Sequence, residues 1–133
     1  MENAMKPLEP KTIRPPFGHY SSGVAVDAPQ KLVVTSGQLG VGPDDVAPPD
    51  VLEQARICFA NCGAILAEAG LGPQHAIRVA GFVTRREDFA AYMQARDEWL
   101  ADAPVKPAST LLIVTGFTRP EFLVEVEVTA ALS

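Results

Sequence analysis

Residues 122–132 read FLVEVEVTAAL, a stretch in which two kinds of side chain alternate. Because successive side chains of a β-strand point to opposite faces of a sheet, this alternation predicts a strand with one apolar face. The other face carries two carboxylates, Glu125 and Glu127. The surroundings of this strand therefore determine what the carboxylates contact. The apolar face consists of Phe122, Val124, Val126, Val128, Ala130 and Leu132.

Helix signals separate the other predicted strands. Asp50 and Glu53 have capping-box spacing and predict the start of a first helix, which ends at Gly70. Thr84 and Glu87 repeat that spacing and predict the start of a second helix, which continues through EDFAAYMQARDEWL. The predicted order is ββαβαββ. Its strands are placed at 19–26, 31–37, 75–84, 109–115 and 122–132.

The length favours one domain over residues 1–133, with residues 1–17 as an N-terminal lead-in. The chain contains no apolar run near the roughly 18 residues of a membrane span, and its start lacks the apolar segment of a secretory signal. We therefore expect a cytoplasmic protein with no membrane partner. The net charge of −5, with scattered basic residues, argues against nucleic acid as a partner.

Two cysteines, Cys58 and Cys62, lie four residues apart and share one face of the first predicted helix. A zinc site needs more ligands, and His19 and His75 are distant in sequence and belong to no ligand motif. Free cysteine readily packs as a small apolar side chain. The expectation is no metal and no cofactor.

Two helices cover only one face of a sheet, yet STLLIVT at 109–115 is apolar on both faces. A neighbouring copy of the chain is the simplest cover for the second face. Glu125 and Glu127 then lie at or near a subunit interface. Several roles remain open for them from spacing alone: solvent contact at the rim, an ion pair across the interface, protection of an edge strand, or a polar pocket.

Four stretches, in order along the chain, resemble motifs of the RidA/YjgF/UK114 (Rid) family. GHYSSGVAV resembles the opening Gly-x-Tyr-Ser strand, and LVVTSGQLGVGPD the Ser-Gly-Gln signature with its loop. QARICFANCGAILAEAG resembles the first-helix motif, and RPEFLVEVEVTAAL the terminal Val-Glu-Ile-Glu strand. Each motif alone is weak, but four in register over residues 18–132 are specific.

The resemblance implies a chorismate-mutase-like α+β fold, with two helices on one face of a mixed sheet, and a homotrimer with three clefts between subunits. Deaminases of the family hydrolyse a small imine or enamine there, giving ammonia and a 2-keto acid. An arginine after Pro-Ala clamps the substrate carboxylate, and the first terminal glutamate positions the attacking water. By correspondence, Glu125 is the candidate catalytic residue, Tyr20 lies in the pocket, and Gly37 lines the cleft with its backbone.

The chain departs from the family pattern at the arginine. KPASTLLIV places Ser109 where the arginine belongs, and Met93 stands where the archetype has an asparagine. Ser109 and Thr110 are candidate substrate-binding residues that offer only neutral hydrogen bonds, each about half as strong as a charge-assisted one. Arg14 is the candidate replacement for the missing guanidinium.

Other charged residues near the expected cleft are assigned elsewhere. Lys106 and Arg119 are interpreted as surface charges. His19 is adjacent to Tyr20, and consecutive side chains of a strand face opposite ways, so His19 is expected to point away from the pocket.

The favoured function is a Rid-type hydrolase whose substrate preference is changed by the loss of the arginine, with weak activity on 2-aminoacrylate and 2-aminocrotonate. A homotrimer that binds a small metabolite without catalysis is the alternative, favoured by Ser109. Ribonuclease activity, an old label of the family, ranks last because the chain is acidic and lacks interleaved basic and aromatic residues.

Overall fold

The computed structural model describes residues 5–133. Short 3-10 turns at Pro73–His75 and Arg86–Asp88 directly precede the strand Ala76–Val83 and the helix Phe89–Trp99. The strands in this part of the chain are β1 Met5–Leu8, β2 Gly23–Val26, β3 Lys31–Val34, β4 Gln38–Leu39, β5 Ala76–Val83, β6 Ala108–Ile113 and β7 Val124–Leu132. The helices are α1 Val51–Glu68 and α2 Phe89–Trp99.

A mixed sheet in the order β3-β7-β5-β6 forms one layer of the fold, and β4 also pairs with β7. The β5–β6 pair is parallel, whereas β7 runs antiparallel to β3, β4 and β5. The sequence FLVEVEVTAAL therefore supplies a strand between other strands. The predicted α+β fold, with two helices on one face of a mixed sheet, is confirmed.

The alternation along β7 is confirmed by its burial. Val124, Val126 and Val128 are at most 1% exposed and pack in the core beneath α1 and α2, whereas Glu125 and Glu127 on the other face are partly exposed. That second face also carries Leu32 and Val34, which are 61% and 66% exposed. Apolar side chains thus remain uncovered on the face that holds the carboxylates.

No helix within residues 5–133 combines the length and the apolar character needed to cross a membrane.

The sequence correctly predicts the start of α1 but not that of α2. Asp50 is the N-cap of α1, and its side chain accepts a hydrogen bond from Glu53 N at 3.4 Å. Gly70, with φ +75°, follows the helix and adopts the left-handed conformation that suits glycine. The prediction that Thr84 caps the second helix is wrong, because α2 begins at Phe89 without a side-chain cap.

The N-terminal region also differs from the prediction. β1 lies in the lead-in and pairs antiparallel with β2, with Met5 opposite Val26. The first predicted strand, 19–26, is shorter because its start is a turn in which Tyr20 N donates to Gly18 O. Ser21 N then donates to Pro107 O, which places this turn beside the start of β6.

Candidate functional site

A cavity of ≈ 420 Å³ lies between α2, β6 and the segment that precedes β2. This volume is within the range of small-molecule sites, which are typically apolar with a few polar groups. The lining follows that description. Its apolar side chains are Phe17, Phe89, Met93 and Leu111, and its polar ones are Tyr20, Arg96 and Ser109.

Local structure explains why these residues converge. Phe89, Met93 and Arg96 are four and three residues apart on α2, so they lie on one face of the helix. Ser109 and Leu111 are two residues apart on β6, so they share one face of the strand. The turn before β2 brings Tyr20 to the same cavity.

Arg96 is the charged group of the cavity, and its side chain is only 4% exposed. Its Nη1 donates to Ser109 Oγ at 3.2 Å and its Nε donates to Asp97 Oδ1 at 3.1 Å. The guanidinium also lies 5.7 Å from the centroid of the Tyr20 ring. Because a buried charge is costly unless it is paired, these partners offset part of the cost and fix the direction of the guanidinium.

The cavity brings together three residues that the family resemblance singled out, Tyr20, Met93 and Ser109. Arg96 was missed. Its spacing from Phe89 and Met93 places it on their face of the helix, but only the fold shows that this face lines a cavity.

Glu125, the candidate catalytic residue, lies against Gly37, a neighbour that the sequence did not predict for it. A Cβ on Gly37 would lie 2.8 Å from Glu125 Cδ and Oε2, so only glycine leaves room for the carboxyl group in this position. Burial raises the pKa of Glu125, and the nearby charge of Glu127 adds to the shift. A carboxyl with a raised pKa holds a proton more readily, which suits a group that exchanges protons with water.

Glu125 and Ser109 point to opposite faces of the sheet within one chain. Glu125 is opposite Phe82 on β5, whereas Ser109 is opposite Val79, three residues away and on the buried side. Strands in a sheet are about 4.8 Å apart, so two strand spacings as well as the sheet itself separate the two groups. A site that uses both must therefore combine Glu125 of one copy with Ser109 of another.

Thr110 and Arg14 lie outside the cavity lining. Thr110 is opposite Ala80, which is itself opposite Glu127, so Thr110 shares the face of the carboxylates. Arg14 lies at the surface, with its guanidinium 3.6 Å from the centroid of the Phe17 ring. Arg96, rather than Arg14, is the guanidinium beside Ser109.

The other charged residues have structural partners. Lys106 Nζ donates to the carbonyl groups of Leu100 and Ala103 at 2.7 and 3.0 Å, just after α2. Arg119 pairs with Asp45 and Glu121. His19 is exposed and lies 3.3 Å from Asp97, outside the lining, and because it lies in a turn, strand alternation does not set its direction.

Both cysteines are buried in the core and free. The Sγ atoms of Cys58 and Cys62 donate to the carbonyl groups of Val124 and Val126 at 3.7 Å, and so bind α1 to β7. Burial raises the pKa of both thiols, that of Cys62 to about 11. These positions and pKa shifts fit the predicted packing role.

The raised pKa of Glu125 predicts a pH-dependent stability difference for Glu125→Gln. The folded chain favours the protonated carboxyl, so the free energy of unfolding of the wild type should fall as pH rises from the ordinary carboxyl pKa through the raised one. Glutamine stays neutral, so the variant should match the wild type near pH 4 and be more stable at pH 7. Urea denaturation at both pH values measures the difference.

Glu68→Gln is the matched control, because Glu68 is exposed at the end of α1. If the difference in the free energy of unfolding between Glu125→Gln and the wild type stays constant from pH 4 to pH 7, the pKa of Glu125 is not raised.

The protein thus combines a two-layer α+β fold, a Gly37 that leaves room for the Glu125 carboxyl, and a small, mostly apolar cavity that holds Arg96. The family model described as Endoribonuclease L-PSP matches residues 11–132. The chain belongs to this family, which is the Rid family of the sequence resemblance. The family description is a name and does not assign ribonuclease activity to this chain.

Among relatives by sequence, the putative reactive intermediate deaminase TdcF of Escherichia coli K12 is 37% identical over 95 residues, covering 68% of this chain and 71% of TdcF. DfrA of Myxococcus xanthus is 33% identical over 105 residues, or 77% of this chain and 78% of DfrA.

Among solved structures, the Rid-family protein YyfB of Yersinia pestis matches with a TM-score of 0.83 at 27% identity, over 96% of this chain and 98% of that one. E. coli TdcF with bound serine matches with a TM-score of 0.72 at 29% identity, over 96% and 99%.

Proposed function

We propose that the protein hydrolyses a small imine or enamine derived from an amino acid, in a cleft between copies of the chain. The observation that carries the proposal is Glu125, whose carboxyl is held against Gly37 and has a raised pKa. The similarity to TdcF, a putative reactive intermediate deaminase, supports the same reaction class.

In the proposed reaction, the Glu125 carboxylate takes a proton from water as the water oxygen bonds to the carbon of the protonated imine, whose C=N electron pair moves to nitrogen. The resulting carbinolamine carries both a hydroxyl and an amino group on that carbon. The amino group then takes the proton from Glu125, the C–N bond breaks with its electron pair on nitrogen, and loss of the hydroxyl proton forms the C=O bond. The net change is imine plus water to ketone plus ammonia, without a cofactor.

A homotrimer is the proposed assembly, and it completes the cleft. Its support is the uncovered sheet face, where Leu32, Val34 and Leu112 are between 50% and 66% exposed. Burial of such apolar area favours association. It also agrees with the opposite orientations of Glu125 and Ser109 in one chain.

The test has two arms. Analytical ultracentrifugation should give a mass about three times 14.2 kDa. In the second arm, the imine formed from leucine by an amino-acid oxidase, with catalase present, is trapped as its semicarbazone. The protein should lower the semicarbazone yield. Glu125→Gln should slow this hydrolysis by about 100-fold or more, the usual range for a general base.

Gly37→Ala should also slow hydrolysis, because the new methyl group displaces the carboxyl while leaving Glu125 in the chain. Glu68→Gln should react like the wild type. Equal rates for the wild type and Glu125→Gln would refute the proposed reaction, and a stable monomer would refute the shared cleft.

The alternative function is a trimer that binds a metabolite without hydrolysing it. Ser109 at the family's arginine position favours it. Ligand binding without hydrolysis of any imine or enamine would establish this alternative.

A further inference from the structure

The guanidinium of Arg96 is directed into a cavity with few other polar groups. Within residues 5–133, its recorded hydrogen bonds use Nε and one Nη1 donor. A guanidinium has five N–H donors, so three remain for a ligand, including both on Nη2. Gly18 lies beside Nη2, since a Cβ built there would be 3.4 Å from it, so this part of the lining has no side chain.

From this geometry we infer that Arg96 binds the carboxylate of the substrate, in place of the arginine that Ser109 replaces on β6. Ser109 Oγ accepts a hydrogen bond from Nη1 and so orients the guanidinium. The charge thus reaches the cavity from α2 rather than from the strand. This inference rests on the proposed function for the reaction, but the binding it describes is measured independently.

The rest of the lining defines the substrate class further. Phe17, Phe89, Met93 and Leu111 surround the cavity with apolar surface. A 2-imino acid with a three-carbon skeleton has only a one-carbon side chain to contact this surface, whereas a branched or aromatic side chain contacts much more of it. Each buried methylene contributes about 0.8 kcal/mol, or roughly fourfold in affinity. We therefore assign the site to 2-imino or 2-enamine acids with a sizeable apolar side chain.

Asp97 does not cancel this preference for an anion. It contacts Nε, and its carboxylate is 36% exposed and also lies near His19. The Nη1 and Nη2 side of the guanidinium is left for the ligand, and a carboxylate accepts two parallel N–H bonds from a guanidinium. Asp97 thus orients Arg96, and the carboxylate of the ligand accepts hydrogen bonds from the remaining N–H groups of the guanidinium.

The test is calorimetric titration with 4-methyl-2-oxopentanoate, the keto acid formed from the leucine imine. Arg96→Met should weaken binding about 10- to 150-fold, the usual effect of losing a charge-assisted contact. Arg86→Met, at an exposed position, is the matched control and should bind like the wild type. The neutral ketone 4-methyl-2-pentanone should bind the wild type and Arg96→Met equally. The shorter 2-oxobutanoate should bind the wild type roughly tenfold more weakly than the longer acid.

Equal affinity of the wild type and Arg96→Met for the acid would overturn the inference, as would equal affinity for the two acids or no binding of either by the wild type. If Arg96→Met is unfolded by circular dichroism, Arg96→Lys decides. It keeps the charge but loses the planar fork, so wild-type affinity would overturn the inference and weaker binding would support it. Binding that depends on Arg96, without hydrolysis of the imine, would refute the proposed function alone. Hydrolysis that does not depend on Arg96 would refute only the role of Arg96 in binding the carboxylate.

Discussion

Replacing Gln54 with leucine is expected to lower the free energy of unfolding by about 2–4 kcal/mol, because it leaves three backbone groups without their partner. Gln54 is fully buried in α1. Its Nε2 donates to Pro48 O at 2.8 Å and to Glu121 O at 2.9 Å, and its Oε1 accepts from Leu123 N at 2.9 Å. Leucine is close in size but supplies none of these bonds.

The functional importance of Gln54 follows from the segments it joins. Pro48 belongs to the loop that follows β4, and Glu121 and Leu123 lie just before β7. Gly37 lies before the loop that contains Pro48, and Glu125 lies two residues after Leu123. Gln54 therefore bonds both to the segment that follows Gly37 and to the segment that leads to Glu125. We expect Gln54→Leu to reduce hydrolysis as well as stability.

Urea denaturation followed by circular dichroism measures the change. Gln94→Leu makes the same replacement at an exposed position of α2 and should alter stability by no more than about 0.5 kcal/mol. If the two variants are equally stable, the three hydrogen bonds of Gln54 make no net contribution to the free energy of unfolding. The role of Gln54 in holding the two segments of the site would then be wrong.

The sequence predicted β7 and α1 because their signals are local. The alternation from Val124 onward fixes two faces, and Asp50 and Gly70 mark the ends of the helix through the backbone groups they satisfy or release. The same reasoning missed β1, since Met5–Leu8 is short and contains a proline, and only its pairing with β2 makes it a strand.

Gln54 and Arg96 were missed for one common reason. Periodicity assigns polar positions to solvent, whereas both side chains are buried and form hydrogen bonds with residues distant in sequence. Glu121 and Ser109 become neighbours of these residues only after the sheet has formed. The candidate site is therefore half predictable: the Gly37 and Glu125 side follows from motifs, while the Arg96 side requires the fold.

Gly81→Ala is the second variant with a large expected effect, a loss of about 1–3 kcal/mol or more in the free energy of unfolding. Gly81 lies in the middle of β5, and a Cβ there would overlap the ring of Tyr92. Tyr92 is fully buried on α2, between Phe59 and the sheet, so the ring has little room to move. Relief of the overlap requires α2 to shift, and with it Arg96, one turn further along.

Gly116→Ala is the matched control, because a Cβ on Gly116 meets no atom within 4 Å. It should leave the urea midpoint nearly unchanged, whereas Gly81→Ala should lower it. A double-mutant cycle with Tyr92→Leu isolates the cause: if the overlap is responsible, the double variant should be more stable than the sum of the single effects by about 1 kcal/mol or more. Additive effects would mean that Gly81 is required for some reason other than the ring of Tyr92.

Since the overlap acts through the helix that carries Arg96, Gly81→Ala should also weaken binding of 4-methyl-2-oxopentanoate, and Gly116→Ala should not.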